Sequence, residues 1–446
     1  MNEFFRIVGS GGARTLKGEI RIAGAKNAAL KVLAASILFR DPLRLTNMPD
    51  IEDVDRISDL LVSMGASIDR KGSVLTVDTR SLHTHELTSD IAKRLRASIV
   101  LSGPVLARTG RVSFPHPGGC VIGERPIDLF LEGFTKMGAT VTLRDKTYDV
   151  VAADGKLRGA EIFFRTPTVT GTETFMMAAT LAKGTTILKN AAMEPEIPWL
   201  AEILNACGAQ ISGAGTSTIT IKGTGGKRLT AKDHSFSILP DRIEAGSFLI
   251  LGALAAKELT ITNCIPEHLE SLIEMLEFAG VPVTKGKRSL TVRAPAQKVV
   301  PRSIPVKTHE YPGFPTDLQA PMIVFLTQSK GESTVFETIF EGRLNFTEGL
   351  NRMGAAITMM DPHRVLVKGP TPLRGKRLES PDLRAGLAFI LAAVVADGVS
   401  EIFNAYYVDR GYEHVEERLR SIGVKIERCA VSSATDVHTR SGDPVC

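Results

Sequence analysis

Residues 114–128 read Phe-Pro-His-Pro-Gly-Gly-Cys-Val-Ile-Gly-Glu-Arg-Pro-Ile-Asp, and they carry a thiol between two basic side chains. Three prolines and three glycines exclude a continuous helix or a central strand, so the stretch is a loop. Glycines before Cys120 strip away bulk. His116 and Arg125 bring potential positive charge within a few residues, which is how a thiol pKa is lowered. An exposed, reactive cysteine on a mobile loop is one reading. Composition alone supports equally a small apolar filler in a tight turn, because free cysteine is commonly buried.

No other cluster of that kind stands out. Nine histidines show no metal-ligand spacing, and His83 with His85 is explained by a solvated loop. Five scattered cysteines (Cys120, Cys207, Cys264, Cys429 and Cys446) fit reduced thiols better than a disulfide framework or a zinc site. The net charge of +5 is small for 446 residues, and no run of Lys or Arg interleaved with aromatics occurs. Mild basicity of this kind suits anionic small molecules and argues against nucleic acid. Apolar stretches 248–256 and 387–396 fall short of the ~18 residues of a membrane span, and the N-terminus lacks a secretory pattern, so a cytoplasmic protein is expected. Oligomeric state is not legible.

The elements that must position these residues repeat. Gly65, Gly138, Gly208, Gly280, Gly354 and Gly423 recur 73, 70, 72, 74 and 69 residues apart, each closing a predicted helix. The helix at 53–64 is amphipathic, with Val54, Ile57, Leu60, Leu61 and Met64 on one face. A β-hairpin is expected after each glycine. Earlier in each unit lies a helix apolar nearly all round, at 27–39, 98–107, 174–182, 245–256, 318–326 and 385–396, which must be buried. The fold class is therefore α/β, with six βαβαββ-like repeats whose helices fill the centre and whose sheets face outward. Six repeats suggest two domains of three. The connector around 223–228 places the first domain at 26–233 and the second at 1–25 with 234–430, leaving 431–446 as a polar, disordered tail.

Several motifs then resemble one family. They are Gly24-Ala25-Lys26-Asn27-Ala28-Ala29-Leu30, Leu95-Arg96-Ala97-Ser98, Gly118-Gly119-Cys120, Arg125-Pro126-Ile127-Asp128-Leu129 and Glu194-Pro195-Glu196-Ile197. Further along stand Leu239-Pro240-Asp241-Arg242, Phe314-Pro315-Thr316-Asp317, Thr338-Ile339-Phe340-Glu341, Asp382-Leu383-Arg384 and Asp409-Arg410-Gly411-Tyr412. In this order they resemble the bacterial UDP-N-acetylglucosamine 1-carboxyvinyltransferases, whose fold is a two-domain inside-out α/β barrel.

The resemblance implies transfer of an enolpyruvyl group from phosphoenolpyruvate to a sugar hydroxyl, the first committed step of peptidoglycan precursor synthesis, with no cofactor and no metal. By the same resemblance Cys120 protonates the methylene carbon and can form a covalent adduct with phosphoenolpyruvate. Asp317 accepts the hydroxyl proton; its place ahead of an apolar helix also reads as a helix cap. Lys26, Arg125 and Arg410 match the family's phosphate-side cations, Arg343 and Arg384 its carboxylate-side cations, and Asn27 adds an amide. Arg96, Pro126, Ile127, Asp128, Leu129, Arg165, Thr168, Val169 and Ile339 match substrate-binding positions. Because these residues come from both halves of the chain, the expectation is a site completed between domains, with the Cys120 loop as lid.

The nucleotide end departs from the family pattern. Phe130 stands where the family usually has His, and residues 166–170 replace its Lys-x-Ser-Val-Gly stretch, with Arg165 displaced by one position. Alternative readings are an enolpyruvyl transferase for a different uridine nucleotide or sugar, and a non-catalytic paralogue. The Gly-Ser-Lys-Ser and Asn-Ala-Gly-Thr signatures of shikimate-phosphate carboxyvinyltransferase are absent.

Overall fold

The computed structural model describes residues 3–87, 96–116, 126–293 and 300–430, with the side chains of Arg96 and Ala97 excepted. Cys120, Arg125 and the tail 431–446 lie outside the described residues.

Each repeat begins with its apolar helix. Lys26–Ala35, Val169–Leu181, Arg242–Ala255, Gln319–Thr327 and Leu383–Val395 are buried over almost every residue, and Ser102–Thr109 follows a 3-10 turn at Arg96–Leu101. Burial on all sides is the only place a helix without a polar face is stable in water. Side-chain caps start three of them. Asp241 accepts from the backbone N–H groups of Ile243 and Glu244, Asp382 from those of Arg384 and Ala385, and Thr168 from that of Gly171.

The second helix of each repeat is one-sided, as in Glu52–Ser63, where Val54, Ile57, Leu60 and Leu61 face inward. All six glycines that follow have positive φ, between +85° at Gly138 and +108° at Gly208. A central strand and a hairpin complete the sheet. In the first repeat the order is Ser235–Ser237, Leu43–Thr46, Val74–Asp78, Ser67–Lys71, with the first pair parallel and the others antiparallel. Four other sheets keep this plan. Among the described residues the sheet of the second repeat has three strands, and Glu86 makes a parallel bridge to Ser113 on the side that the fourth strand takes in the other sheets.

The sixth repeat departs from the expected local hairpin. Its sheet runs Arg377–Glu379, Val399–Phe403, Glu3–Val8, Lys425–Ala430, so the N-terminal strand takes the place of the second hairpin strand. Phe4 pairs with Phe403 on one side and Cys429 on the other, and Phe4, Phe5 and Ile7 are at most 1% exposed. Only a strand with inward-facing apolar residues can fill that position, and the N-terminus supplies one.

The chain forms two compact units, one comprising residues through Ala23 together with Pro240 onward, the other running within Gly24–Leu239. The division falls at Leu239/Pro240 rather than after 233, because Ser235–Ser237 adds to the sheet of Leu43–Thr46. Reciprocally, Leu16–Arg21 pairs in parallel with Ala256–Thr262. In the first of these units the helices Arg242–Ala255, Gln319–Thr327 and Leu383–Val395 pack on one another.

Asparagine marks a corner that the periodicity did not disclose. Asn47, Asn190, Asn263 and Asn404 each follow a central strand with φ between +53° and +60°. Their amides donate to the carbonyls of Ile238, Phe164, Ile22 and Ser380, tying down the neighbouring parallel segment.

Cys207 and Cys264 are free and buried, and burial pushes both thiols up to about 11. Cys429 is disulfide-bonded, which corrects the expectation of five reduced thiols. Sequence spacing is blind to proximity created by folding. Among the described residues no helix is long and apolar enough to cross a membrane.

Candidate functional site

Asp317 and Arg384 lie at the N-terminal ends of two buried helices in the unit that contains residues 240–430, and Arg343 joins them from a loop. Asp317 sits in the 3-10 turn Thr316–Leu318 leading into Gln319–Thr327. It caps neither element, which corrects the expected cap. Its Oδ1 accepts from Arg343 Nη2 at 2.7 Å, and its Oδ2 from Arg384 Nη2 at 2.8 Å. Both arginines are buried, 7% and 6% exposed, so their charge is satisfied mainly within the protein.

Burial alone would raise the Asp317 carboxyl, but Arg384 and Arg343 outweigh it and hold the group far below the usual carboxylate range. The reverse holds for Arg384: burial acts to lower its pKa, and Asp317 more than restores it. Neither group changes charge near neutral pH. Each guanidinium also has a hydroxyl partner. Arg343 Nη1 donates to Thr316 Oγ1 at 2.6 Å, and Arg384 Nη1 to the Tyr412 phenol oxygen at 2.8 Å. Thr316 in turn donates to Glu337, whose other oxygen accepts from the backbone N–H of Ile339. That contact gives Ile339 a main-chain role.

Arg410 closes the short helix Tyr406–Asp409. The preceding Asp409 is held by Arg428, which reaches it at 2.9 and 2.7 Å and also bonds Glu3 and Glu416. The network fixes the loop by which Arg410 is presented.

In the other unit, Lys26 opens its helix two residues after Gly24, where a Cβ would come within 2.0 Å of the Asn47 carbonyl oxygen. Lys26 Nζ lies 2.6 Å from Asp53 Oδ2, and Asp53 is 1% exposed. Asp53 was not singled out in the sequence. Its signal is its place as the second residue of the helix Glu52–Ser63, acidic yet on the buried face. Asn27 is half-buried beside Lys26, and its carbonyl accepts from Lys31 at 3.5 Å.

Pro126, Asp128, Leu129 and Arg165 line one cavity of about 240 Å³, together with Thr166 and Phe163. Phe163 is 59% exposed there. Arg165 is paired with Glu132 at 3.1 Å. Ile127 is buried behind this wall, and Thr168 and Val169 form the start of the next helix, Thr168 as its cap. Phe130 is not part of the wall. It is 5% exposed and stacks near Phe175, a ring also contacted by Phe134 and Phe164, so this departure from the family pattern falls in the core.

The EPSP synthase (3-phosphoshikimate 1-carboxyvinyltransferase) family matches residues 11–419. The chain is 45% identical over 419 residues to UDP-N-acetylglucosamine 1-carboxyvinyltransferase of Magnetococcus marinus, covering 94% of this chain and 98% of that protein. It is 43% identical over 424 residues to the same enzyme of Desulfosudis oleivorans, covering 95% and 99%. Among solved structures, the enolpyruvyl transferase NikO from Streptomyces tendae superposes with a TM-score of 0.84 at 24% identity, covering 96% of this chain and 99% of that one. EPSP synthase from Acinetobacter baumannii superposes at 0.70 with 16% identity, covering 96% and 100%. The last two establish the shared α/β fold. With identities above 40% over nearly its entire length, the chain belongs to the UDP-N-acetylglucosamine 1-carboxyvinyltransferase family, within the wider EPSP synthase family.

Proposed function

We propose that this protein transfers the enolpyruvyl group of phosphoenolpyruvate to the 3'-hydroxyl of UDP-N-acetylglucosamine, releasing phosphate and opening peptidoglycan precursor synthesis. The observation that carries the chemistry is that Arg343 and Arg384 together already grip a carboxylate, that of Asp317, at 2.7 and 2.8 Å. Two converging guanidinium forks are a receptor for a small organic acid. Lys26 and Arg410 supply cations for the phosphate, with Arg125 as a third.

In this scheme the Cys120 thiol gives its proton to the methylene carbon of phosphoenolpyruvate. The sugar hydroxyl adds to the neighbouring carbon and loses its proton to Asp317, giving a tetrahedral intermediate that still carries phosphate. Expulsion of phosphate with loss of a methyl proton restores the double bond. The cavity lined by Asp128, Leu129 and Arg165 is assigned to the nucleotide, with Thr168 and Val169 close by in sequence, and Arg96 as a further contact by the family pattern. A cytoplasmic setting and the part that peptidoglycan supply plays in cell shape and division belong to the same proposal.

Phosphate release from phosphoenolpyruvate by the purified protein, with and without UDP-N-acetylglucosamine, tests the reading. Release that requires the nucleotide sugar, and that falls severely in Cys120→Ala, is expected. Release with another uridine compound alone would overturn the acceptor assignment, and silence with every acceptor would overturn the transferase reading.

A further inference from the structure

Arg384 divides its fork between a charge and a neutral oxygen. Nη2 is spent on Asp317, and Nη1 on the phenol of Tyr412, 2.8 Å away. The phenol oxygen also lies 3.3 Å from Ser247 Oγ. Ser247 has one proton, and it is donated to the carbonyl of Ile243 at 2.7 Å within the helix Arg242–Ala255. The direction of the chain is thereby fixed. Arg384 donates to Tyr412, Tyr412 donates to Ser247, and Ser247 donates to a helix carbonyl. Burial moves the phenol above its ordinary pKa, so it keeps its proton throughout the working range.

Tyr412 is itself buried, 1% exposed, with its backbone N–H donating to the Val408 carbonyl and its ring centroid 5.5 Å from the Arg384 guanidinium carbon. A second carboxylate that takes the Nη2 groups of Arg343 and Arg384 displaces Asp317 from them. When Asp317 gives way, Arg384 loses the carboxylate it is bonded to and keeps only the charge of Asp241 acting from further off, and a long side chain would follow the displaced carboxylate unless a bonded neighbour retained it. Arg343 has Thr316, whose own proton goes to Glu337 at 2.8 Å. For Arg384 the retaining group is Tyr412.

We propose that Tyr412, backed by Ser247, is a positioning residue that keeps Arg384 aimed at the donor's carboxylate while Asp317 is exchanged for it, a role that rests on the transferase reading above. Tyr412 acts through Arg384 and need not touch the substrate. It belongs to the same loop as Arg410, so one short segment supplies a cation directly and steadies another.

Steady-state kinetics on Tyr412→Phe and Ser247→Ala test this. Phenylalanine keeps the ring and removes the oxygen. The expected result is a KM for phosphoenolpyruvate raised about tenfold or more in Tyr412→Phe, and by a smaller factor in Ser247→Ala, with the KM for UDP-N-acetylglucosamine unchanged. A merely structural role would disturb both substrates or neither. Unchanged KM for phosphoenolpyruvate, or equal changes for both substrates, would overturn the proposal while leaving the wild-type transferase activity standing. Should Tyr412→Phe fail to fold, the serine variant decides by the same criterion. A wild-type protein that releases no phosphate with any acceptor would remove the transferase reading, and this proposal with it.

Discussion

Lys31 carries an ammonium into a helix whose other buried positions are Ala, Leu and Val, and meets Glu173 at 2.7 Å. Glu173 is fully buried, and desolvation pushes its carboxyl up to about 7 in spite of Lys31, with Glu196 and Glu194 adding to the rise. The folded state therefore holds more protons than the unfolded chain between the usual 4.5 and about 7, and stability falls as pH rises through that window. Removing the cation deepens the effect. Lys31→Met should lose roughly 3–5 kcal/mol in urea unfolding at about pH 8 and less at about pH 6, and Lys31→Met with Glu173→Met should recover most of it. A single variant as stable as wild type at both pH values would show that the pair is not charged. Asp317 has the opposite sign: its depressed pKa contributes stability that is present above the usual carboxylate range and lost only in strong acid. Arg343, Arg384 and Asp317 were legible as family positions, but their mutual contact was not, since 67 residues separate Asp317 from Arg384.

At the scale of elements, the amphipathic helices and their terminal glycines were readable because both follow from local rules, periodicity and the left-handed conformation. What lay beyond reach was the packing between them. Gly133 sits within the helix Asp128–Lys136, where a Cβ would come 2.1 Å from the ring of Phe175. Gly280, by contrast, has φ +92° with nothing within 4 Å of its Cβ position. Gly280→Ala should cost about 1–2 kcal/mol through backbone strain. Gly133→Ala should cost about 1–3 kcal/mol through overpacking. Adding Phe175→Leu should relieve the second cost and not the first, read by thermal or denaturant unfolding. Equal responses would mean that the ring is free to move. The same aromatic cluster explains Phe130: a side chain at that position is fixed by Phe175, a neighbour 45 residues on that no local pattern announces.

For the whole molecule, the N-terminal strand and the final strand are partners, with Glu3 opposite Ala430. A permuted chain that joins residue 430 to residue 3 by a short turn and opens at Gly72, an exposed turn with no atom near its Cβ position, should fold and keep its activity. Deleting residues 3–8 should instead leave the sixth sheet split and the buried partners of Phe4, Phe5 and Ile7 exposed, with loss of cooperative unfolding. A deletion protein that melts like wild type would contradict the strand's place in that sheet. Sequence alone determined the six-fold repeat, the α/β class and the family, because helix and strand periodicity are local and family motifs are read position by position. Tertiary structure decided which strand completes the sixth sheet, that Asp317 is clamped rather than capping, and that Tyr412 stands behind Arg384. Those outcomes depend on which distant groups satisfy a buried charge or a strand edge, and burial is a property of the folded chain.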